Sequence, residues 1–248
     1  MIRSSLGCVT NYRGREVARP ASIGMILGVC AGAVAYAFLA AGRRLAPGYA
    51  LAQVGLAGGM GLAGLIDDVA GSRSSSGFAG HLKMLLQGQL TTGVLKIAFA
   101  AVVCVACAMA VGHGGAWALV DGVLLASAAN VVNLLDTRPG RAIKGSLLIL
   151  ALMGSAGANL QLASPIAGAS LAFLKYDLSE QGMLGDTGAN PLGALVVLSA
   201  LQMSRGWRII ALLVLAAVNL IAERASLGRL IESCPPLAAI DRLGRRTD

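Results

Sequence analysis

Five aspartates, Asp67, Asp68, Asp136, Asp177 and Asp186, stand at or just beyond the ends of apolar stretches, although they come from four separate segments of the chain. Carboxylates are costly to desolvate at a membrane boundary, and several that converge repel one another unless a cation compensates them. Hard oxygen donors of this kind suit a divalent metal. In Gly64-Leu65-Ile66-Asp67-Asp68 an apolar helix runs straight into two adjacent acids. Neighbouring helical side chains point about 100° apart, so one acid can face a metal while the other faces a proton donor. The stretch Gly77-Phe78-Ala79-Gly80-His81-Leu82-Lys83, followed by Gln87, brings positive charge a short loop later, where His81 and Lys83 could meet a phosphate.

Two further constellations carry polar groups into apolar surroundings. In Asn130-Val131-Val132-Asn133-Leu134-Leu135-Asp136 the polar residues recur every third position and drift by only about 60° each step, forming one stripe on a helix. Such a stripe serves either interhelical hydrogen bonds or a site. Gly185-Asp186-Thr187-Gly188-Ala189-Asn190-Pro191-Leu192-Gly193 sets an Asp between glycines at the start of an apolar helix, joining a hard ligand to a tight turn and exposed amides. Helix capping alone would explain the Asp but not the flanking glycines.

The elements that must position these groups are membrane helices. Of 248 residues 56% are hydrophobic and only 13% charged, with a mean hydropathy of +0.73. Soluble domains carry about 25% charged residues, so part of the solvent must be lipid. The expected fold is all-α, a single polytopic integral membrane helical bundle of about eight transmembrane helices over 1–248. The crossings fall at 21–41, 49–66, 88–111, 116–135, 146–163 and 207–222, with shorter ones at 164–174 and 189–204. An even number puts both termini on one side. Most Lys and Arg residues fall in loops on that side, which the positive-inside bias makes cytoplasmic, and the acids share it. The net charge of +8 is accounted for by this topology, so no nucleic-acid partner is expected. Cys104 and Cys107 form a C-x-x-C inside an apolar run with no second pair, which reads as packing and not a thiolate metal centre. The polar first twenty residues read as mature protein and not a signal peptide.

The four motifs, in this order over roughly residues 60 to 195, resemble the polyprenyl-phosphate N-acetylhexosamine-1-phosphate transferase superfamily. Gly64 to Asp68 is similar to its Asp-Asp motif, Gly77 to Gln87 to its basic loop, Asn130 to Asp136 to its Asn-x-x-Asn-x-x-Asp motif, and Phe173 to Gly193 to its Gly-Asp segment. The resemblance implies transfer of a sugar-1-phosphate from a UDP-sugar to polyprenyl (undecaprenyl) phosphate, releasing UMP, with magnesium as cofactor and an active site on cytoplasmic loops of the plasma membrane. It implies that Asp186 ligates the metal and that Asp67 or Asp68 deprotonates or orients the lipid phosphate while the other supports the metal. Lys83 would hold phosphate oxygens, Asn133 and Asp136 would line the nucleotide side, and Asp177 would be a secondary polar contact. Asn130 and His81 join the substrate-binding set.

The chain departs from the family pattern in two places. Pro139 stands where the third motif usually carries a second acid, and the histidine-rich loop near the family's C-terminal end is missing, His81 and His113 being the only histidines. A catalytically silent member that binds nucleotide or polyprenyl phosphate is therefore a second class, and a small transporter built on the polar stripe a third. Small-residue runs such as Gly58-Gly59-x-Gly61 permit close helix contact in a homodimer or within one bundle. Shared use of one cation requires Asp186 to lie within about 15 Å of Asp67 and Asp68.

Overall fold

A computed structural model describes residues 8–10, 14, 16–18, 21–39, 46–70, 87 and 92–245. Apart from a short antiparallel hairpin, β1 (Cys8–Thr10) with β2 (Glu16–Ala18), the described chain is helical. The helices are α1 (Ile23–Leu39), α2 (Ala46–Ala70), α3 (Thr92–Ala110), α4 (Ala116–Leu135), α5 (Arg141–Ser155), α6 (Ser164–Leu178), α7 (Gly185–Leu198), α8 (Arg205–Arg224), α9 (Leu227–Ser233) and α10 (Pro235–Arg242). Among the described residues α2, α3, α4 and α8 are long and apolar enough to cross a membrane. Helix α1 is apolar but has 17 residues, α5 and α6 have 15 each, and α7 has 14.

The stretch 146–163, expected as one crossing, is broken. Helix α5 stops at Ser155, Gly157 takes a left-handed φ of 95°, and a 3-10 turn over Leu160–Ala163 leads into α6, whose first turn holds Pro165. A left-handed glycine just past a helix end, and a proline just inside the next start, are the usual punctuation for such a break.

Helix α7 is the hub. All its residues except Asp186 are buried, and it packs chiefly against α2 and α4. Its apolar side chains surround the axis, and a helix apolar all round has to be enclosed by protein. Small residues allow the approach: Gly64 of α2 lies against the Asp186–Thr187 backbone, and Gly193 of α7 against the backbone of Ala128 and Ala129 in α4. On the other side of α2, Gly48, Gly55 and Gly59 face Ala110, Cys107 and Val103 of α3, while Gly61 faces Ile26 of α1. Most of the α2 glycine run thus serves contacts within the bundle. Cys104 and Cys107 are free thiols packed in the core.

Two polar ties hold α8 to α4. At the bundle end away from the aspartate motifs, the fully buried Asp121 pairs with Arg208 and His113, and Arg205 and Arg208 lie 4.8 and 5.0 Å from the Trp117 ring centroid. Further along α4, Asn130 Nδ2 donates to Asn219 Oδ1 at 2.6 Å, and Asn219 Nδ2 donates to the Ser127 carbonyl at 3.1 Å. The C-terminal helices α9 and α10 fold back on the start of α5. Buried Arg141 donates to both carboxylate oxygens of Asp241 at 2.9 and 2.8 Å, and Arg245 donates to the Pro139 carbonyl at 3.0 Å.

Gly193→Val drives a branched side chain into the α4 backbone, where neither element can yield, and should abolish the folded, monodisperse protein in detergent or lower its thermal midpoint steeply. Gly58→Ala meets open space and removes a helix-interior glycine, so its midpoint should hold or rise by the equivalent of about 0.5–1 kcal/mol. Thermal unfolding of the two variants beside the wild type checks both.

Candidate active site

The first turn of any helix leaves backbone N–H groups without intrahelical partners, and its dipole makes that end positive. In α7 those groups are met by carboxylates from two other helices. Gly185, with φ of 62°, turns the chain into the helix and donates its N–H to Asp136 Oδ2 at 3.0 Å. The Asp186 N–H donates to Asp68 Oδ1 at 3.1 Å, and Thr187 donates its N–H and hydroxyl to Asp68 Oδ2 at 3.0 and 2.7 Å. Just before the helix, the Ser22 hydroxyl donates to the Leu184 carbonyl at 2.7 Å, pinning the entering strand of chain to the start of α1. Asp186 is therefore not the cap of its own helix; Asp68 at the end of α2 and Asp136 at the end of α4 do that work.

Relieved of capping, the Asp186 side chain turns toward α3. Its Oδ2 accepts from the Lys96 ammonium and from Asn133 Nδ2 at 3.5 Å, and its carbonyl accepts from Asn190 Nδ2 at 2.9 Å. The same ammonium donates to Asp67 Oδ2 at 2.8 Å. Four acids from α2, α4 and α7 thus gather within one hydrogen-bonded group, with one lysine joining two of them. The adjacent acids divide as their angular separation suggests: both oxygens of Asp68 are turned to α7, whereas Asp67 meets Asp186 across a cation.

The remaining sequence candidates lie in different surroundings. Asp177, buried at the end of α6, accepts from the Gly140 N–H at 2.8 Å and so stabilises the left-handed turn, φ 73°, between α4 and α5. Asn130 pairs with Asn219 of α8, away from the aspartate group, so the stripe splits between an interhelical tie and the site. His81 and Lys83 lie outside the described residues. Lys96 is a lone charge within the apolar stretch 88–111, and such an intramembrane charge is itself the signal of a site. Thr187, whose hydroxyl meets Asp68, carries no such signal.

Burial, reinforced by the negative charge of Asp177, pushes the Asp136 carboxyl from 3.8 up to about 7, against the pull of the Gly185 N–H. A carboxyl poised near neutrality can hold or give up a proton.

No family model, curated protein or solved structure matches the chain.

Among the described residues no three His, Cys, Asp or Glu side chains are gathered into a metal cage. Magnesium asks for less: it is commonly bound through one or two carboxylates with the rest of its octahedron supplied by water and substrate phosphate. Asp67 and Asp186 already direct one carboxylate oxygen each at a single cationic group, and Asn133 adjoins them. This donor set fits magnesium.

Two outcomes follow. Asp68→Ala strips the cap from α7 and should cost at least the ~1–2 kcal/mol of a lost helix cap, whereas Asp68→Asn keeps an acceptor and should cost less; thermal unfolding separates them. Because the folded pKa of Asp136 is raised, the folded protein keeps a proton that the unfolded chain gives up. That contribution to stability is full below about pH 4 and lost as pH rises through about 7. Asp136→Asn, which cannot ionise, should therefore shrink the drop in thermal midpoint between about pH 5 and about pH 8.

Proposed function

We propose that this chain is an integral membrane phosphoglycosyl transferase, a shortened member of the polyprenyl-phosphate N-acetylhexosamine-1-phosphate transferase superfamily. The observation that carries the proposal is the meeting of Asp67, Asp68, Asp136 and Asp186, from distant motifs, around Lys96 at one end of an apolar bundle. In the transfer, an oxygen of polyprenyl phosphate attacks the sugar-bearing phosphorus of a UDP-sugar, the bond to the UMP oxygen breaks, and the lipid carries a pyrophosphate-linked sugar. The reaction forces anions together, so electrostatic clamping matters more than a strong nucleophile.

Asp186 and the Asp67/Asp68 pair would hold magnesium, which would supply the charge that offsets this repulsion. The acid of the pair not engaged with the metal orients the lipid phosphate and accepts its proton. Asn133 and Asp136 face the nucleotide side, and Asp177 acts at a distance by holding the Gly140 turn. Lys83 and His81 provide the phosphate contacts of the intervening loop. The shorter helices α1, α5, α6 and α7 complete about eight crossings, and the excess of Lys and Arg at the aspartate end sets that end in the cytoplasm. There a lipid phosphate arrives laterally in the leaflet and the soluble nucleotide arrives from water.

One observation favours a second class, a protein that binds these ligands without turnover. The turn that carries Pro139 in place of a family acid is locked by Arg245 on the Pro139 carbonyl and by the buried Arg141–Asp241 pair. Incubating the purified protein with polyprenyl phosphate, magnesium and a panel of radiolabelled UDP-sugars should yield labelled lipid. Asp186→Asn should lower that yield by about a thousandfold or more with the thermal midpoint retained. Calorimetric binding of nucleotide or lipid phosphate, with no labelled lipid from any sugar, would favour the silent binder.

A further inference from the structure

Lys96 lies early in α3, near the positive end of that helix and inside an otherwise apolar segment. Both circumstances disfavour a cation there. What holds it is a pair of carboxylates from other helices, Asp67 Oδ2 at 2.8 Å and Asp186 Oδ2 in a still closer contact. The lysine side chain keeps about a quarter of its surface (26%) open, so solvent ions reach the place where the two acids meet.

Resting on the function proposed above, we infer that Lys96 is a resident counter-ion that competes with the divalent cation for the same two oxygens. In the metal-free protein the ammonium cancels the repulsion between Asp67 and Asp186, which would otherwise spread α2 from α7. A divalent ion that takes those oxygens displaces the ammonium, since three positive charges do not share two carboxylates. The released ammonium stays tethered beside the site, where phosphate oxygens are its natural partner. Lys96 thereby couples metal loading to the arrival of the pyrophosphate: the ion is held loosely until an anionic substrate compensates the displaced charge. Lys96 is a positioning residue in this scheme, acting through the carboxylates.

The test uses the full chain in detergent micelles and Mn²⁺ as the probe, titrated by electron paramagnetic resonance. Lys96→Met keeps the apolar stem and removes the charge, and its Mn²⁺ dissociation constant should fall about tenfold or more below that of the wild type. Lys96→Arg keeps the charge and should show no such tightening. A second measurement needs no variant: acylation of Lys96 in the wild type, read by mass spectrometry, should be slow without metal and rise severalfold when magnesium is added. Unchanged or weaker Mn²⁺ affinity in a folded Lys96→Met protein, labelling of Lys96 indifferent to magnesium, or no Mn²⁺ binding at all would each overturn the competition. Tightened Mn²⁺ binding with no lipid product from any sugar would sink the transferase and leave the competition standing. Metal-dependent product with an unaltered Lys96→Met affinity would do the reverse.

Discussion

The positive end of one enclosed helix, answered by carboxylates from its neighbours, is the constraint on which the rest of the structure rests. N–H groups left bare at the buried start of that helix would each carry the desolvation cost of an unsatisfied polar group. Asp68 and Asp136 meet them, and in doing so they lock the ends of α2 and α4 to the start of α7. The contact at Gly64, where α2 has no side chain, lets the Asp68 carboxylate reach that close.

Residues of the same type are divided between two kinds of partner. Asp68 and Asp136 spend their oxygens largely on backbone amides, which fixes geometry, and Asp67 and Asp186 spend theirs on a cation, which leaves them exchangeable. The raised pKa of Asp136 marks a boundary between the two duties: it caps Gly185 and still sits in a negative, poorly hydrated environment. A group of acids that would be unstable as four free charges is thereby reduced to two, and those two share Lys96.

The acids were legible in the sequence because polar groups interrupt apolar runs there, and carboxylates at such edges are too costly to be idle. Their meeting was an expectation carried by the family resemblance and not by any local pattern, since nothing local says that residues 118 positions apart will share a hydrogen bond. Asn130 shows the converse. Its spacing from Asn133 and Asp136 placed it on their stripe, but its partner Asn219 lies 89 residues away, and only packing reveals it. Lys96 stood alone in sequence with no repeating pattern around it. Helix α7 looked marginal because it is short and carries Gly, Asn and Pro, features that are poor for facing lipid but well suited to a helix enclosed by protein. The break near Gly157 was hidden by the apolar residues on both sides of it, for hydropathy alone does not register a left-handed turn.

The complete enclosure of α7 also bears on biogenesis. A segment opening Gly-Asp-Thr-Gly-Ala-Asn-Pro would partition poorly into lipid by itself, and its docking walls, α2 and α4, are encoded upstream of it. Domains assemble from the N-terminus during synthesis. Both walls are therefore synthesised before α7, so the helix least suited to acyl chains is the one that emerges with its protein neighbours already present.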